Sequence, residues 1–202
     1  MPDLPFLNEL VLVDKNPALT AAWEEAFADF DDVRVLCGDF FAEDACALVS
    51  PANSFGFMDG GLDAAISEVV GRHLERRVQA AIVDAHRGEL AIGQALTVDT
   101  DHKRWPRLIV APTMRVPGKL SQQSVNAFLA MRALLVEAER QRREGRPMQK
   151  LVVPGLCSGI GGMTPRKVAM QMRLAFNEMR VPARIPSMSH IHRVHGKLLL
   201  PL

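Results

Sequence analysis

Cysteine is scarce in this chain, and neither sign of charge is in excess. Only Cys37, Cys46 and Cys157 occur, no two of them form a Cys-x-x-Cys pair, and their odd number argues against a disulfide framework. No apolar run approaches the roughly 18 residues that a membrane-spanning helix needs. The start, Met1-Pro2-Asp3-Leu4-Pro5, has neither the basic residues nor the apolar stretch of a secretory signal. With no sign of secretion, a reducing cytoplasm is the expected location. The 24 basic against 23 acidic side chains leave a formal net charge of +1, without the basic excess by which proteins grip nucleic acid through many phosphates. An anionic ligand is then expected to be held locally, by backbone groups and not by a field of lysines.

What is present is the balance of a globular protein, with 48% hydrophobic and 23% charged residues over 202 positions. That length favours one domain spanning 1–202. Apolar runs alternate with helix-period segments. Leu10-Val11-Leu12-Val13 stops at Asp14, and residues 17–30 read as a helix with Trp23 and Phe27 four apart. Strands are expected at Val33-Arg34-Val35-Leu36-Cys37 and at Ala47-Leu48-Val49, the second stopping at Ser50-Pro51-Ala52-Asn53. Leu62, Ala65, Ile66, Val69, Val70, His73 and Leu74 fall on one face of a single predicted helix. Further strands are expected over 94–98 and 108–111, and a helix over 125–144 ends in basic residues before Gly145. The last expected strand, Leu151-Val152-Val153, runs into a glycine-bearing loop, after which Thr164 and Pro165 suit the start of a helix faced by Val168, Met172, Ala175, Phe176 and Met179. The pattern predicts a central sheet covered by helices on both faces. The tail, 182–202, shows no period.

Two segments share one design: a strand, a glycine-bearing loop, then a helix start. The first runs from Asn53 through Gly60-Gly61 into Leu62, the second from Ser158 through Gly162 into Thr164. Glycines let backbone N–H groups approach a ligand, and a helix N-terminus adds unpaired N–H groups and roughly half a positive charge. Two such loops side by side would hold a diphosphate without lysine or arginine. Ordinary tight turns between strand and helix would use the same residues. Known nucleotide motifs fit poorly. The second loop ends Gly162-Met163-Thr164 and lacks the Gly-Lys-Ser/Thr of a P-loop, and it sits too late in the chain to open a dinucleotide-binding half. Asp14 and Asp39 at strand ends would suit an S-adenosylmethionine-dependent methyltransferase, but the glycine-rich turn expected before Asp14 is missing.

Over about 33–179 the chain resembles the macro domains, which bind ADP-ribose and in some branches hydrolyse its conjugates. Gly38-Asp39-Phe40 is similar to the family's Gly-Asp-Ile element, and Ala47-Leu48-Val49-Ser50-Pro51-Ala52-Asn53 to the strand ending Asn-Ala-Ala-Asn. Gly60-Gly61-Leu62-Asp63-Ala64-Ala65-Ile66 is similar to Gly-Gly-Val-Asp-Gly-Ala-Ile, and 154–162 to the loop that wraps the diphosphate. The resemblance implies a three-layer α/β/α sandwich with a central mixed sheet. It implies that Asp39 recognises adenine, that the backbone of Phe40 assists, and that Asn53 contacts the distal ribose. Gly60, Gly61, Leu62 and the run Ser158, Gly159, Ile160, Gly161, Gly162 and Met163 would surround the diphosphate.

Asp63 stands ten residues after Asn53, the separation of the MacroD-type ADP-ribosyl hydrolases, which implies that Asp63 orients the attacking water. A carboxylate can act as general base, and the nearby helix dipole is expected to keep it ionised and only mildly basic; an ordinary first-turn acid would look the same. Departures from the family are Ser50 and Pro51 in the asparagine motif, Gly161 where many members carry a phenylalanine or tyrosine, no recognisable closing strand after Met179, and an additional strand and helix over 10–30. Phe55 and Phe57 are candidates to cover a ribose. Two functions stand open: an ADP-ribosyl hydrolase with ADP-ribose conjugates as substrates, and a non-catalytic reader of ADP-ribosylated partners. No metal or cofactor is called for. His190, His192 and His195 lack a nearby cysteine or acid and read as surface residues. Arg140, Arg142, Arg143 and Arg146 read as a solvated helix end, and Cys157 as a loop-packing residue.

Overall fold

The computed structural model describes residue 4 and residues 6–200, and in it the chain forms one mixed sheet between two helical layers. The start Met1-Pro2-Asp3 with Pro5, and Pro201 in the tail, lie outside the described residues. Strands β1 (Glu9–Asp14), β2 (Val33–Cys37), β3 (Ala47–Ser50), β4 (Leu96–Asp99), β5 (Arg107–Val110) and β6 (Lys150–Val153) line up as β2-β1-β6-β3-β5-β4. Only β4 runs antiparallel to its neighbour, β5. The helices are α1 (Pro17–Phe27), α2 (Gly61–Val70), α3 (His73–His86), α4 (Asn126–Arg143), α5 (Pro165–Met179) and α6 (Met188–Leu199).

Strict alternation along the strands sends side chains to two cores. Leu10, Leu12, Ala47, Val49, Ile109, Leu151 and Val153 pack with α1, α4 and α5, while Val11, Val13, Leu48, Leu108, Val110 and Val152 pack with α2 and α3. Burial on both faces is why these strands read as unbroken apolar runs. The three-layer α/β/α expectation is met.

Three elements differ from the expected ones or were not assigned. The single helix predicted across 62–74 is two, because Gly71 at φ 134° ends α2, its N–H capping the Ser67 carbonyl. Ile66 of α2 and Leu74, Val78 and Ile82 of α3 still enter the same core, whereas Val69 and His73 of the predicted face are exposed. The N-terminal strand is interior to the sheet, between β2 and β6, and Phe27 of α1 meets Phe176 of α5 at 5.8 Å. After α5 the chain forms α6, not a strand. Only Leu198 of α6 is buried, so no core-facing period marks the helix in the sequence. Its end is held instead by two buried side chains of α5: Lys167 donates to the Leu200 and Gln122 carbonyls, and Gln171 donates to those of Leu198 and Ser124.

Arg180, just past α5, donates to both carboxylate oxygens of Asp32 at 2.9–3.0 Å and lies against Phe30 and Phe176. With both partners largely buried, Arg180→Ala is expected to cost about 3 kcal/mol. Urea unfolding should show a lower midpoint at an unchanged slope.

Candidate functional site

Strands β1, β2, β3, β5 and β6 are parallel and therefore end at one edge of the sheet. Chain leaving that edge encloses a cavity of about 510 Å³. Its walls come from Asp14 at the end of β1 and Lys15 after it, Gly38 after β2, Pro51 to Asn53 after β3, Thr113 and Met114 after β5, and the segment 154–161 after β6. Residues 50–54 and 111–115 run side by side beneath it: Ala111 N–H donates to the Ser50 carbonyl at 3.0 Å, Thr113 N–H to Ala52 at 3.0 Å, and the Thr113 hydroxyl to Pro51 at 2.9 Å.

The two glycine-bearing loops meet at this cavity. Gly60, Gly61 and Leu62 line it from one side and Ser158, Gly159, Ile160 and Gly161 from the other. A Cβ placed on Gly61 would stand 4.0 Å from Ile160 Cδ1, so the loops are in near contact. Gly61 has φ +57°, and Gly60 caps α2 without a side chain, which leaves the first-turn amides without a capping oxygen. The second loop stops lining the cavity at Gly161. The Gly162 amide donates to the Gly159 carbonyl at 3.0 Å and the Met163 amide to Cys157 at 3.1 Å, and the Met163 side chain is in the core. Gly162 and Met163 thus close the turn behind the cavity, and the start of α5 is set back from it. A Cβ on Gly161 would lie 2.6 Å from the Cys157 carbonyl oxygen and 3.1 Å from Leu120 Cδ1. The backbone at this position has no room for a side chain.

Asp63 sits in the first turn of α2, lines the cavity and is 8% exposed. Its Oδ1 accepts the Ser50 hydroxyl at 2.6 Å. Burial pushes its pKa up to about 6, with the Ser50 hydrogen bond pulling the other way. The expected mildly basic, dipole-stabilised acid is therefore corrected: loss of water at the end of β3 outweighs the helix terminus, and the carboxylate is ionised at neutral pH yet more basic than usual. Ser50 itself, met in the sequence only as a departure from the asparagine motif, is 1% exposed.

Asn53 lines the cavity, but its amide is engaged within its own loop. Nδ2 donates to the Phe57 carbonyl at 2.8 Å, and Oδ1 accepts from the Phe55 and Phe57 amides at 3.0 and 3.3 Å. Glu75 of α3 fastens the same loop by accepting the Met58 amide at 2.7 Å. Phe57, 53% exposed, stands at the cavity wall, whereas Phe55 lies under Arg115. Asp39 is exposed beside the cavity and accepts the Phe41 amide at 3.3 Å, and Phe40 lines the cavity from the α2–α3 core. Lys15, the one basic residue of the wall, has no motif in the sequence to mark it, and Asp14 stands out there only as a candidate for a methyltransferase. Both lie outside the stretch of family resemblance, and the end of an apolar strand was the sole signal for them.

Cys157 packs in the loop, 3% exposed, with burial raising its pKa to about 12. His190 pairs with Glu178 at 2.9 Å, and among the described residues no group of His, Cys, Asp or Glu is placed to hold a metal. Arg140 pairs with Glu137 and Glu144, and Arg143 with Glu139. Among the described residues no helix is long and apolar enough to cross a membrane.

A carboxyl whose pKa is raised by folding holds protons that the unfolded chain has released, so its burial costs stability as pH rises from about 4 through about 6. Asp63→Asn is expected to be more stable than the native protein above pH 7, by about 2–3 kcal/mol. The gain should vanish below about pH 4, as read from melting temperatures across that range.

A family model described as the macro domain matches residues 49–172. Two uncharacterized proteins are similar in sequence. That of Aquifex aeolicus is 29% identical over 138 residues, 68% of this chain and 76% of its own. That of Aeropyrum pernix is 28% identical over 148 residues, 73% of this chain and 72% of its own. Among solved structures, the macrodomain of Mycobacterium tuberculosis DarG matches with a TM-score of 0.57 at 24% identity, covering 71% of this chain and 88% of that one. A variant macrodomain of Oceanobacillus iheyensis with ADPR matches at 0.60 and 14% identity over 98% and 94%. DarTG of Thermosipho africanus in complex with ADP-ribose matches at 0.55 and 16% identity over 93% and 56%. At such identities the structural likeness speaks for the fold alone. With the family model spanning more than half of its length, and the fold to go with it, the chain belongs to the macro domain family.

Proposed function

We propose that this macro domain binds ADP-ribose in the cavity at the carboxyl edge of its sheet and hydrolyses an ADP-ribose conjugate there. The observation that carries the reading is a buried, unusually basic carboxylate, Asp63, at the start of a helix whose capping glycine faces a second glycine-bearing loop across the cavity. Solved relatives are described with ADPR and with ADP-ribose, which supports the same ligand class here. The main-chain groups of Gly60 to Leu62 and of Ser158 to Gly161 would surround the diphosphate, with Lys15 the one cation in the wall. Gly38, Asp39 and Phe40 would bound the adenine end. Asn53 would serve the distal ribose through the loop that its amide holds as well as through direct contact.

In the reaction, Asp63 takes a proton from water as the water oxygen bonds to the anomeric carbon of the distal ribose. The bond from that carbon to the acceptor breaks, and its electron pair leaves with the acceptor, which is then protonated. The acceptor is a modified side chain or a small group. The protein acts in this reading as an enzyme of the cell interior that needs neither metal nor cofactor.

A reader without turnover is the second reading, favoured by Gly161, where the backbone leaves no room for a ring beside the distal ribose. The two part on Asp63→Ala. A hydrolase should lose at least about a hundredfold in kcat, while its ADP-ribose affinity holds. Turnover of the native protein should rise as pH passes about 6 and then level off, since Asp63 works as its carboxylate. A thermal-shift comparison should show stabilisation by ADP-ribose well above AMP and NAD and none by S-adenosylmethionine. Stabilisation by S-adenosylmethionine alone would restore the methyltransferase reading. Failure of the native protein to release ADP-ribose from any mono-ADP-ribosylated substrate would leave the reader.

A further inference from the structure

Ser50 ends β3 and is almost wholly buried, and it forms no part of the cavity wall. A group so placed reaches a ligand only through a neighbour. Its neighbour is Asp63, whose Oδ1 takes the Ser50 hydroxyl at 2.6 Å. The donor is rigid: Ser50 pairs with Val110 across the sheet, and its carbonyl accepts the Ala111 amide at 3.0 Å. Among the described residues Asp63 has no second hydrogen-bond partner, so Oδ2 is the oxygen left for the cavity.

We propose that Ser50 is a positioning residue of this site: its hydroxyl fixes the Asp63 carboxylate in one orientation and sets its affinity for a proton, so that Oδ2 meets the attacking water. This rests on the hydrolase reading given above. A hydrogen bond donated to a carboxylate favours its charged form, here against the burial that disfavours it. Without the hydroxyl, burial acts unopposed. The other titratable groups that line the cavity with it are Asp59 ahead of α2, Asp14 and Lys15 at the end of β1, and Cys157 in the opposite loop. From α3, Glu75 comes to the adjoining loop at Met58. None of them is hydrogen-bonded to Asp63, which leaves Ser50, among the described residues, as the side chain that acts on it directly.

The test is a carbon-13 carboxyl NMR titration of Asp63 in the native protein, Ser50→Ala, Ser50→Cys and Ser50→Thr, beside the pH profile of kcat. Ser50→Ala is expected to raise the Asp63 pKa by about one unit. Ser50→Cys, close in size but a weak donor, should act in the same direction, and Ser50→Thr should restore the native titration. The acid limb of kcat should move with the NMR value, lowering kcat several-fold near pH 6 while KM and the ADP-ribose affinity stay put. An unshifted Asp63 in a folded, ADP-ribose-binding Ser50→Ala or Ser50→Cys overturns the proposal, as does a shifted Asp63 with an unmoved kcat profile. If Ser50→Ala does not fold, the cysteine and threonine variants decide. A native protein that releases nothing sinks the hydrolase reading, and with it the catalytic half of the proposal; the titration still decides whether Ser50 holds Asp63.

Discussion

The parallel pairing of β1, β6, β3 and β5 is the constraint on which the site depends. Parallel strands bury both faces and deliver their carboxyl ends to one edge, where the chain must turn away. Because β3 lies between β5 and β6, its outgoing turn is flanked by the other two, and a cavity forms where the three diverge. Most of the candidate ligand-facing groups hang on those turns or on the helix that follows β3, and Lys15 and Gly38 to Phe40 join them from the ends of β1 and β2. Slipping one strand by a residue would exchange its two faces between the cores and rotate its outgoing turn.

Within that frame two kinds of group divide the work. In the proposed binding mode, backbone amides at the α2 start and along Ser158 to Gly161 are the donors, their positions set by turn geometry, so that a chain of nearly balanced charge needs no cluster of lysines to hold an anion. In the proposed reaction the chemistry falls to a buried side chain. Asp63 loses water at the base of the cavity and gains one hydroxyl from β3, and the balance between these leaves it charged at neutral pH but ready to accept a proton. Asn53 and Glu75 hold the lip between them so that Phe57 and Asp59 stand at the wall.

The α5 side chains Lys167 and Gln171 tie the tail to the same assembly. Each holds a carbonyl of the C-terminal segment together with one of the segment 122–124, and Gln122 in turn donates to the Gly162 carbonyl at 3.0 Å. Leu120 adds a backbone bond to Gly161 at 2.9 Å. The second loop is thus supported from outside by residues that no local pattern would connect with it.

Elements whose burial is two-sided or periodic are legible in the residues alone: apolar runs such as Leu151-Val152-Val153 have no stable place except inside a covered parallel sheet, and glycine at Gly60-Gly61 after a strand makes a turn that exposes amides, but the residues alone carry no more than this local information. It could not show that Gly71 splits a helix, because apolar residues on both sides of the break feed one core. Nor could it show α6, which buries one leucine and is held by side chains far away in the chain. Long-range packing is what puts Gly162 and Met163 behind the cavity, Lys15 in its wall, and Asp63 out of water against Ser50. A carboxylate's proton affinity depends on the water it loses and the donors it meets, and both are set by chain brought together from across the fold.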